Sequence, residues 1–218
     1  MRLALRSGTV SRPSPSMPAA GARARLARVA ELNRKSLRDP ETFWLREASA
    51  LSWMRPPERA FEGDPVQGDV SWFGDGMLNA TVSCVDRHAA AAPGRPAVVW
   101  LRAEGDVQVV SYRDLRQQMC GLANVLLAHG VRCGDRVALY LPLGAPLLAA
   151  ALACARIGAV HLAVSPRTTP DVLRRALRVV RARLLVTANE AEVQRGRERI
   201  PLWEQADEAL RGLGRVET

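Results

Sequence analysis

Short apolar runs alternating with helical segments predict an α/β fold built on a parallel sheet. Residues 137–141 (VALYL), 160–164 (VHLAV) and 184–187 (LLVT) are apolar runs of strand length. Residues 147–155 and 171–180, which separate them, have helical composition and spacing. A strand, a helix and a second strand in about 30 residues make a βαβ unit. Runs that are apolar without alternation are the mark of parallel strands covered on both faces.

In chain order, residues 1–30 hold Arg2, Arg6, Arg12, Arg23, Arg25 and Arg28 among several Ser and Pro, and no acid precedes Glu31. Residues 1–25 have two readings, a disordered leader or a mitochondrial transit peptide, which place the chain in the cytoplasm or the mitochondrial matrix. The absence of a long apolar core in this stretch disfavours secretion. Residues 25–54 predict helix, interrupted at Asp39-Pro40 where a new helix starts. Trp44 and Trp53 are expected to pack this arm onto the body, and Pro56-Pro57 ends it. Residues 58–75, rich in Gly, Pro and Asp, read as an ordered surface loop. Its Trp72-Phe73-Gly74-Asp75-Gly76 is a turn, because the rest of a phosphate loop is missing.

Residues 79–92 predict a helix in which His88 packs as an ordinary helix residue. Residues 96–101 and 107–110 form a strand pair joined through Glu104-Gly105-Asp106. Ser111 and Asp114 make a capping box for a helix over 112–129, which Gly130 ends. The strand at 137–141 follows, broken by Pro142, Gly144 and Pro146, and Gly158 closes the next helix. Thr169-Pro170-Asp171 opens a helix with Leu173, Ala176, Leu177 and Val180 on its apolar face. Residues 190–213 are expected to be helical in parts, broken at Pro201. His161 is read as a packed residue rather than a base. No Ser-His-Asp order or nucleophile elbow suggests a hydrolase.

With 218 residues, 48% of them hydrophobic, the chain suits one domain, or one domain with an arm. No apolar run reaches the length of a membrane span. Of 31 basic residues all but Lys35 are Arg, giving a net charge of +9. Two readings of that excess stand: phosphate recognition, or compositional bias that enriches Arg, Ala, Gly and Pro together. A nucleic-acid binder is disfavoured, because no recognised motif accompanies the charge. Cys84, Cys120, Cys133 and Cys154 form no C-x-x-C pair, and free, mostly buried thiols in a reducing compartment are expected. No His, Cys or Glu cluster has metal-ligand spacing.

Several segments carry a family resemblance in order. They are DPETFW at 39–44, WFGDGMLNATVSCVDRH at 72–88, Tyr112-Arg113-Asp114-Leu115, Leu122-Ala123-Asn124, HGVRCGDRVALYLP at 129–142 and LACARIGAVH at 152–161. Together they resemble the acetyl-CoA synthetase branch of the adenylate-forming acyl-CoA ligases, over about Ala30 to Leu210. The resemblance implies an incomplete N-terminal portion of an adenylate-forming domain: a parallel sheet with βαβ crossovers plus an N-terminal helical arm. It divides the chain into a leader (1–25), a helical arm and loop (26–71) and a partial AMP-dependent synthetase/ligase α/β domain (72–218). The implied parent reaction joins acetate or propionate to coenzyme A through an acyl-adenylate, with ATP and magnesium.

The complete family uses a Gly/Ser/Thr-rich loop ending in Lys, a Thr-Glu pair, a ribose-binding Asp and a Lys in a mobile C-terminal domain. No segment here matches them, and Lys35 lies on the arm, so no catalytic or metal-binding residue is assigned. An Arg-Gly-Gly-Arg-like segment that reaches the coenzyme's ribose phosphate has its nearest match in Gln194-Arg195-Gly196-Arg197. Arg195 and Arg197 are therefore the candidate coenzyme A contacts, set against an exposed, charged helix start. A glycine-containing turn that also meets the coenzyme is replaced by Ser165-Pro166-Arg167-Thr168, which lacks glycine's close backbone approach. The expectation is weak coenzyme A binding at most and no catalysis by the chain alone. The alternative is a non-catalytic interaction protein or relic of the family, associating with a full-length relative. Strands at 160–164 and 184–186, suited to burial on both faces, are expected to leave a face or edge open.

Overall fold

The computed structural model describes residues 19–64, 67–101, 107–193 and 198–213. In chain order, helices α1 (Ala19–Arg38) and α2 (Pro40–Ala48) precede strands β1 (Trp53–Arg55), β2 (Phe61–Asp64), β3 (Asp69–Trp72) and β4 (Met77–Leu78). A π-helical turn, Val82–Asp86, leads into α3 (Arg87–Ala91), then β5 (Pro96–Leu101), β6 (Val107–Ser111) and α4 (Tyr112–Ala128). The alternating part is β7 (Arg136–Tyr140), α5 (Ala145–Arg156), β8 (Val160–Ala163), α6 (Pro170–Val180) and β9 (Leu184–Thr187). Strands β10 (Ala191–Val193) and β11 (Glu198–Ile200) and helix α7 (Leu202–Leu210) complete the described elements.

The chain divides into two compact units. The first takes the described residues up to Ala50 together with Pro56–Gly76. Asp39 caps α2 by accepting a hydrogen bond from the Thr42 amide at 3.1 Å, and Pro40 fills the first helical turn, where its missing N–H costs nothing. Glu41 accepts from the Ala60 amide at 2.8 Å, tying α2 to the β2–β3 hairpin. Trp72 of that hairpin meets Trp44 of α2 edge-on at 5.6 Å and lies 5.2 Å from Phe61. Residues 58–75 are thus not the expected loop. The Phe61↔Trp72 and Gly63↔Val70 pairs form a short antiparallel ladder, whose alternation is masked in sequence by Gly and Asp.

The second unit comprises Leu51–Arg55 and the chain from Met77 onward. Its centre is a three-stranded parallel sheet of order β8-β7-β9. Val137, Leu139 and Leu141 face one layer, with Leu184, α4 and α5. Ala138 and Tyr140 face the other, with Leu185, α6 and α7. The three strands and two crossover helices read from the sequence are therefore present, and β7 is covered on both faces. The expected hairpin (β5–β6) and the capping box also form: Ser111 Oγ accepts from the Asp114 amide at 3.2 Å and donates to its carboxylate at 2.6 Å.

Three helices in this unit close alike, with an amide bonded back to a carbonyl five residues earlier. These bonds run from Val131 to Leu126 (3.0 Å), Ala159 to Cys154 (2.9 Å) and Ala182 to Leu177 (2.9 Å). The motif needs a left-handed residue just before that amide. Gly130 and Gly158 supply it for the first two, and at Gly158 a Cβ would also lie 2.7 Å from Cys133 Sγ. After α6 the position is held by Arg181, with φ of 52°. Arg136 braces this end, donating from Nε to the Val180 carbonyl (3.0 Å) and from Nη2 to the Arg181 carbonyl (3.1 Å). Arg174 does the same for α7, donating to the Ala209 (3.1 Å) and Glu208 (2.7 Å) carbonyls. Positive charge at a helix C-terminus also suits the macrodipole.

Several expectations change. Residues 53–55 are strand β1, paired with Met77–Leu78, because the helix has already ended at Ala48. Residues 190–200 begin with the β10–β11 hairpin, and helix resumes only after Pro201. The π turn adds a residue to the helical repeat, so Cys84 faces outward. Of the four free thiols, Cys84 and Cys133 are exposed, Cys120 is half-buried and only Cys154 is buried, its pKa raised to about 11 by desolvation. His161 is exposed rather than packed, because β8 is the edge of the sheet. Val160 on the same strand is 54% exposed, the open edge that the sequence led one to expect. His88 packs as read, its ring 4.9 Å from that of Tyr112.

A left-handed arginine costs about 1 kcal/mol relative to glycine. Arg181→Gly is therefore expected to stabilise the chain by about 0.5–1 kcal/mol in urea unfolding, because the Arg136 contact there is to a backbone carbonyl and survives the change. A loss of stability would show that the Arg181 side chain has a role of its own.

Candidate functional site

In open parallel sheets, ligands lie beyond the carboxyl ends of the strands, where neighbouring strands send their connections to opposite faces. With order β8-β7-β9, that point falls between β7 and β9. The connection from β7 leads to α5 on one face, and the chain after β9 leads to α7 on the other. The candidate site is built from the ends of these strands and the segment 164–169 after β8.

Tyr140 ends β7 with its side chain buried, and burial raises its pKa. A buried phenol needs partners for its hydroxyl. It lies 3.1 Å from the Pro166 carbonyl, 3.0 Å from the Thr168 carbonyl and 2.7 Å from the Gln205 side-chain amide. All three are acceptors, Gln205 through its Oε1, so the single phenolic proton serves one of them at a time. Thr187 Oγ1, at the end of β9, donates to the Tyr140 carbonyl at 3.1 Å. One side chain thus pins the 165–168 segment to the central strand and to α7.

The same segment reaches the β10–β11 hairpin, where Arg167 Nη2 pairs with Glu198 Oε2 at 3.0 Å. This pair ties the 165–168 segment to β11. Arg195 and Arg197 themselves lie outside the described residues. Around the site, α5 begins at Gly144 with Pro146 in its first turn, and α6 begins at Thr169-Pro170. Neither N-cap residue caps its helix through its side chain.

Away from the sheet ends, Asp86 is the hub of an ionic cluster. It accepts from Arg156 Nη1 and, at 3.0 Å, from Arg116 Nε. Arg156 also donates to Thr81 Oγ1 at 3.2 Å, and its carbonyl accepts from Asn79 Nδ2 at 2.9 Å. Burial pushes the Asp86 carboxyl up, but hydrogen bonds from Arg156 and Arg116 outweigh it and hold the pKa below the usual value. An open groove of about 610 Å³ runs beside this cluster, lined by Asp86, Ala89, Ala90, Pro93, Arg113 and Arg116. Among the described residues no group of His, Cys, Asp and Glu is arranged to hold a metal ion. Sequence reasoning missed both Tyr140 and Asp86. The signal for the first was a tyrosine inside an otherwise aliphatic buried strand. The Asp86 cluster had no local signal, since its partners lie 30 and 70 residues away.

Residues 85–214 match the model of the AMP-binding enzyme family, so the chain belongs to that family. Residues 29–84 match the acetyl-coenzyme A synthetase N-terminus, and the chain corresponds to an N-terminal part of an acetyl-CoA synthetase-like enzyme. It is 41% identical over 182 residues to an acetyl-coenzyme A synthetase of Parvibaculum lavamentivorans, covering 81% of this chain and 27% of the relative. With acetyl-coenzyme A synthetase 2 of Pseudomonas putida it shares 39% identity over 183 residues, covering 82% of this chain and 28% of the relative. The solved structure of acetoacetyl-CoA synthetase from Streptomyces lividans superposes with a TM-score of 0.69 at 29% identity, over 82% of this chain and 27% of that one. The chain thus spans little more than a quarter of the length of these relatives.

Two outcomes follow from the geometry. Tyr140→Phe should cost about 1 kcal/mol and speed hydrogen exchange at the 165–168 amides while leaving β7 protected. Unchanged exchange there would separate the segment from the phenol. Asp86 has a folded pKa below its unfolded value, so its contribution is complete above about pH 4 and fades as pH falls through the folded value. Asp86→Asn should therefore lose about 1–2 kcal/mol at pH 7, with the gap to the parent chain closing in acid. A pH-independent gap would count against the ion pairs.

Proposed function

We propose that this chain supplies the N-terminal part of a short-chain acyl-CoA ligase that activates acetate or propionate as an acyl-adenylate and passes it to coenzyme A. The contiguous family matches over 29–84 and 85–214 carry this reading. In the complete protein ATP and magnesium serve adenylation and coenzyme A takes the acyl group. Within these 218 residues we assign the adenylation chemistry to no side chain. Neutralising the charge that develops on transferring phosphates calls for cations aimed at them. The family's phosphate-loop and C-terminal lysines have no counterpart here, the only lysine being Lys35.

Coenzyme A is the ligand for which this part of the chain holds candidate groups. Arg195 and Arg197 are our candidates for its ribose phosphate, since a guanidinium matches phosphate in two parallel hydrogen bonds. The Arg167–Glu198 pair supports the reading by linking the 165–168 segment to the base of the hairpin. It also weakens the site, because Pro166 and Arg167 stand where the family has glycine. The same reading divides the chain into a leader (1–25, a transit peptide if the protein is mitochondrial, of which 1–18 lie outside the described residues and 19–25 are the first residues of α1), an arm (26–71) and the ligase domain portion (72–218). A second reading, association with a full-length relative, is favoured by the open edge of β8, which offers unpaired backbone groups to another strand.

With acetate or propionate and ATP, the purified chain is expected to show no exchange of labelled pyrophosphate into ATP above a protein-free control. Exchange above that level would overturn the assignment of adenylation to other parts of the family protein. Millimolar coenzyme A should raise the melting temperature only slightly. A large shift, abolished by Arg195→Ala and Arg197→Ala, would establish a stronger site than proposed.

A further inference from the structure

The arginines that brace the helix ends use their whole fork. Arg136 donates from Nε, Nη1 and Nη2 to the Val180, Gly134 and Arg181 carbonyls at 3.0, 3.3 and 3.1 Å. Arg174 donates from the same three nitrogens to the Ala209 carbonyl, the Asp171 carboxylate and the Glu208 carbonyl. Arg167 differs. Of its several N–H donors, only those on Nη2 are engaged among the described residues, by the Glu198 carboxylate at 3.0 Å. Its backbone is nonetheless firmly set. The Val164 amide donates to the Leu139 carbonyl at 2.9 Å, and the Thr168 amide closes a turn onto the Ser165 carbonyl at 2.9 Å. The carbonyls of both neighbours, Pro166 and Thr168, lie within 3.1 Å of the buried Tyr140 hydroxyl. Pro166 is buried and Arg167 exposed, so a fixed turn presents the guanidinium outward. The pair with Glu198 joins residues 31 apart in sequence, with side chains 47% and 43% exposed. An ion pair this open to water adds little stability and is easily exchanged.

We propose that Arg167 is a specificity-determining contact to a phosphate of coenzyme A, held in reserve by Glu198, which the phosphate displaces. The inference rests on the coenzyme A reading of this site given above. An anion already occupies the guanidinium, a carboxylate in the place a phosphate would take. Carboxylate and phosphate both match the planar fork, and a phosphate monoester, with its greater charge, is the stronger partner. The unengaged Nε and Nη1 donors allow the second of the two parallel bonds that a phosphate accepts. Where the resemblance implies glycine and a close approach of the backbone, this chain offers a charged side chain on a fixed turn instead. A turn ordered before the ligand arrives limits what binding must immobilise. Glu198 is the competing element. An anion that brings no further contacts does not dislodge it, whereas a phosphate carried by a larger ligand does. Arg136 and Arg174 cannot take this part, because their donors are already engaged at helix ends.

The test is a titration of the full chain with coenzyme A, followed by amide chemical shifts. It compares the parent, Arg167→Gln, Glu198→Gln and the double variant. Glu198→Gln should bind about threefold tighter than the parent, and Arg167→Gln about threefold more weakly. Because removing any carboxylate draws an anion to a basic chain, the double variant decides. There the gain from Glu198→Gln should vanish, since it acts through Arg167. Pantetheine, the thiol-bearing arm of the coenzyme without its phosphates, should not distinguish the four forms. Thermal unfolding should confirm that all four are folded alike, both side chains being at the surface. Coenzyme A bound equally by the parent and Arg167→Gln, or a Glu198→Gln gain that persists without Arg167, would overturn the proposal and leave the coenzyme A reading standing. The same differences with pantetheine would overturn it as well. No saturable binding of coenzyme A by any of the forms would overturn both the proposal and that reading.

Discussion

Burial of β7 on both faces is the constraint on which the second unit depends. Val137, Ala138, Leu139 and Tyr140 are shut off from solvent, and β8 and β9 pair with the strand on either side. A strand with no solvent face requires a helical layer above and below it. That requirement puts α5, packed with α4, on one face and α6, packed with α7, on the other. Its consequences reach the candidate site: with the layers fixed, the connections leaving β7 and β9 run to opposite faces of the sheet.

Arginine does much of the structural work that the charge count conceals. Arg136 and Arg174 satisfy the terminal carbonyls of α6 and α7, and Arg156 joins α5 to the π turn through Asp86. These guanidiniums act through several donors held in a rigid fork, which a lysine ammonium does not reproduce. The excess of arginine is therefore not pure surface solvation. Part of it closes helices and part pairs with carboxylates.

The site at the sheet ends is organised by a polar group placed inside the core. Tyr140 occupies a position that aliphatic packing alone could fill, and its hydroxyl holds 165–168 against α7. Where the family resemblance implies a glycine turn open to a ligand, this chain has a proline-containing segment fastened by the phenol and by the Arg167–Glu198 pair. Glycine lets a ligand approach the backbone closely, whereas proline and a paired arginine fill that space.

The sequence alone determined the parallel sheet, its crossover helices, the β5–β6 hairpin, the Ser111 cap and the family. These rest on local signals: apolar runs of strand length, turn residues and ordered motifs within a few positions of one another. It did not determine that residues 53–55 pair with 77–78, that 61–72 form a hairpin, or that Cys84 and His161 face solvent. Those outcomes depend on partners distant in sequence, on a π turn that rotates a helix face, and on β8 lying at the edge of its sheet. Tyr140 and Asp86 belong to the same class. Each was visible as a residue, but its role arose only when folding brought carbonyls and guanidiniums from remote segments to it, because a buried polar group is defined by the partners that satisfy it.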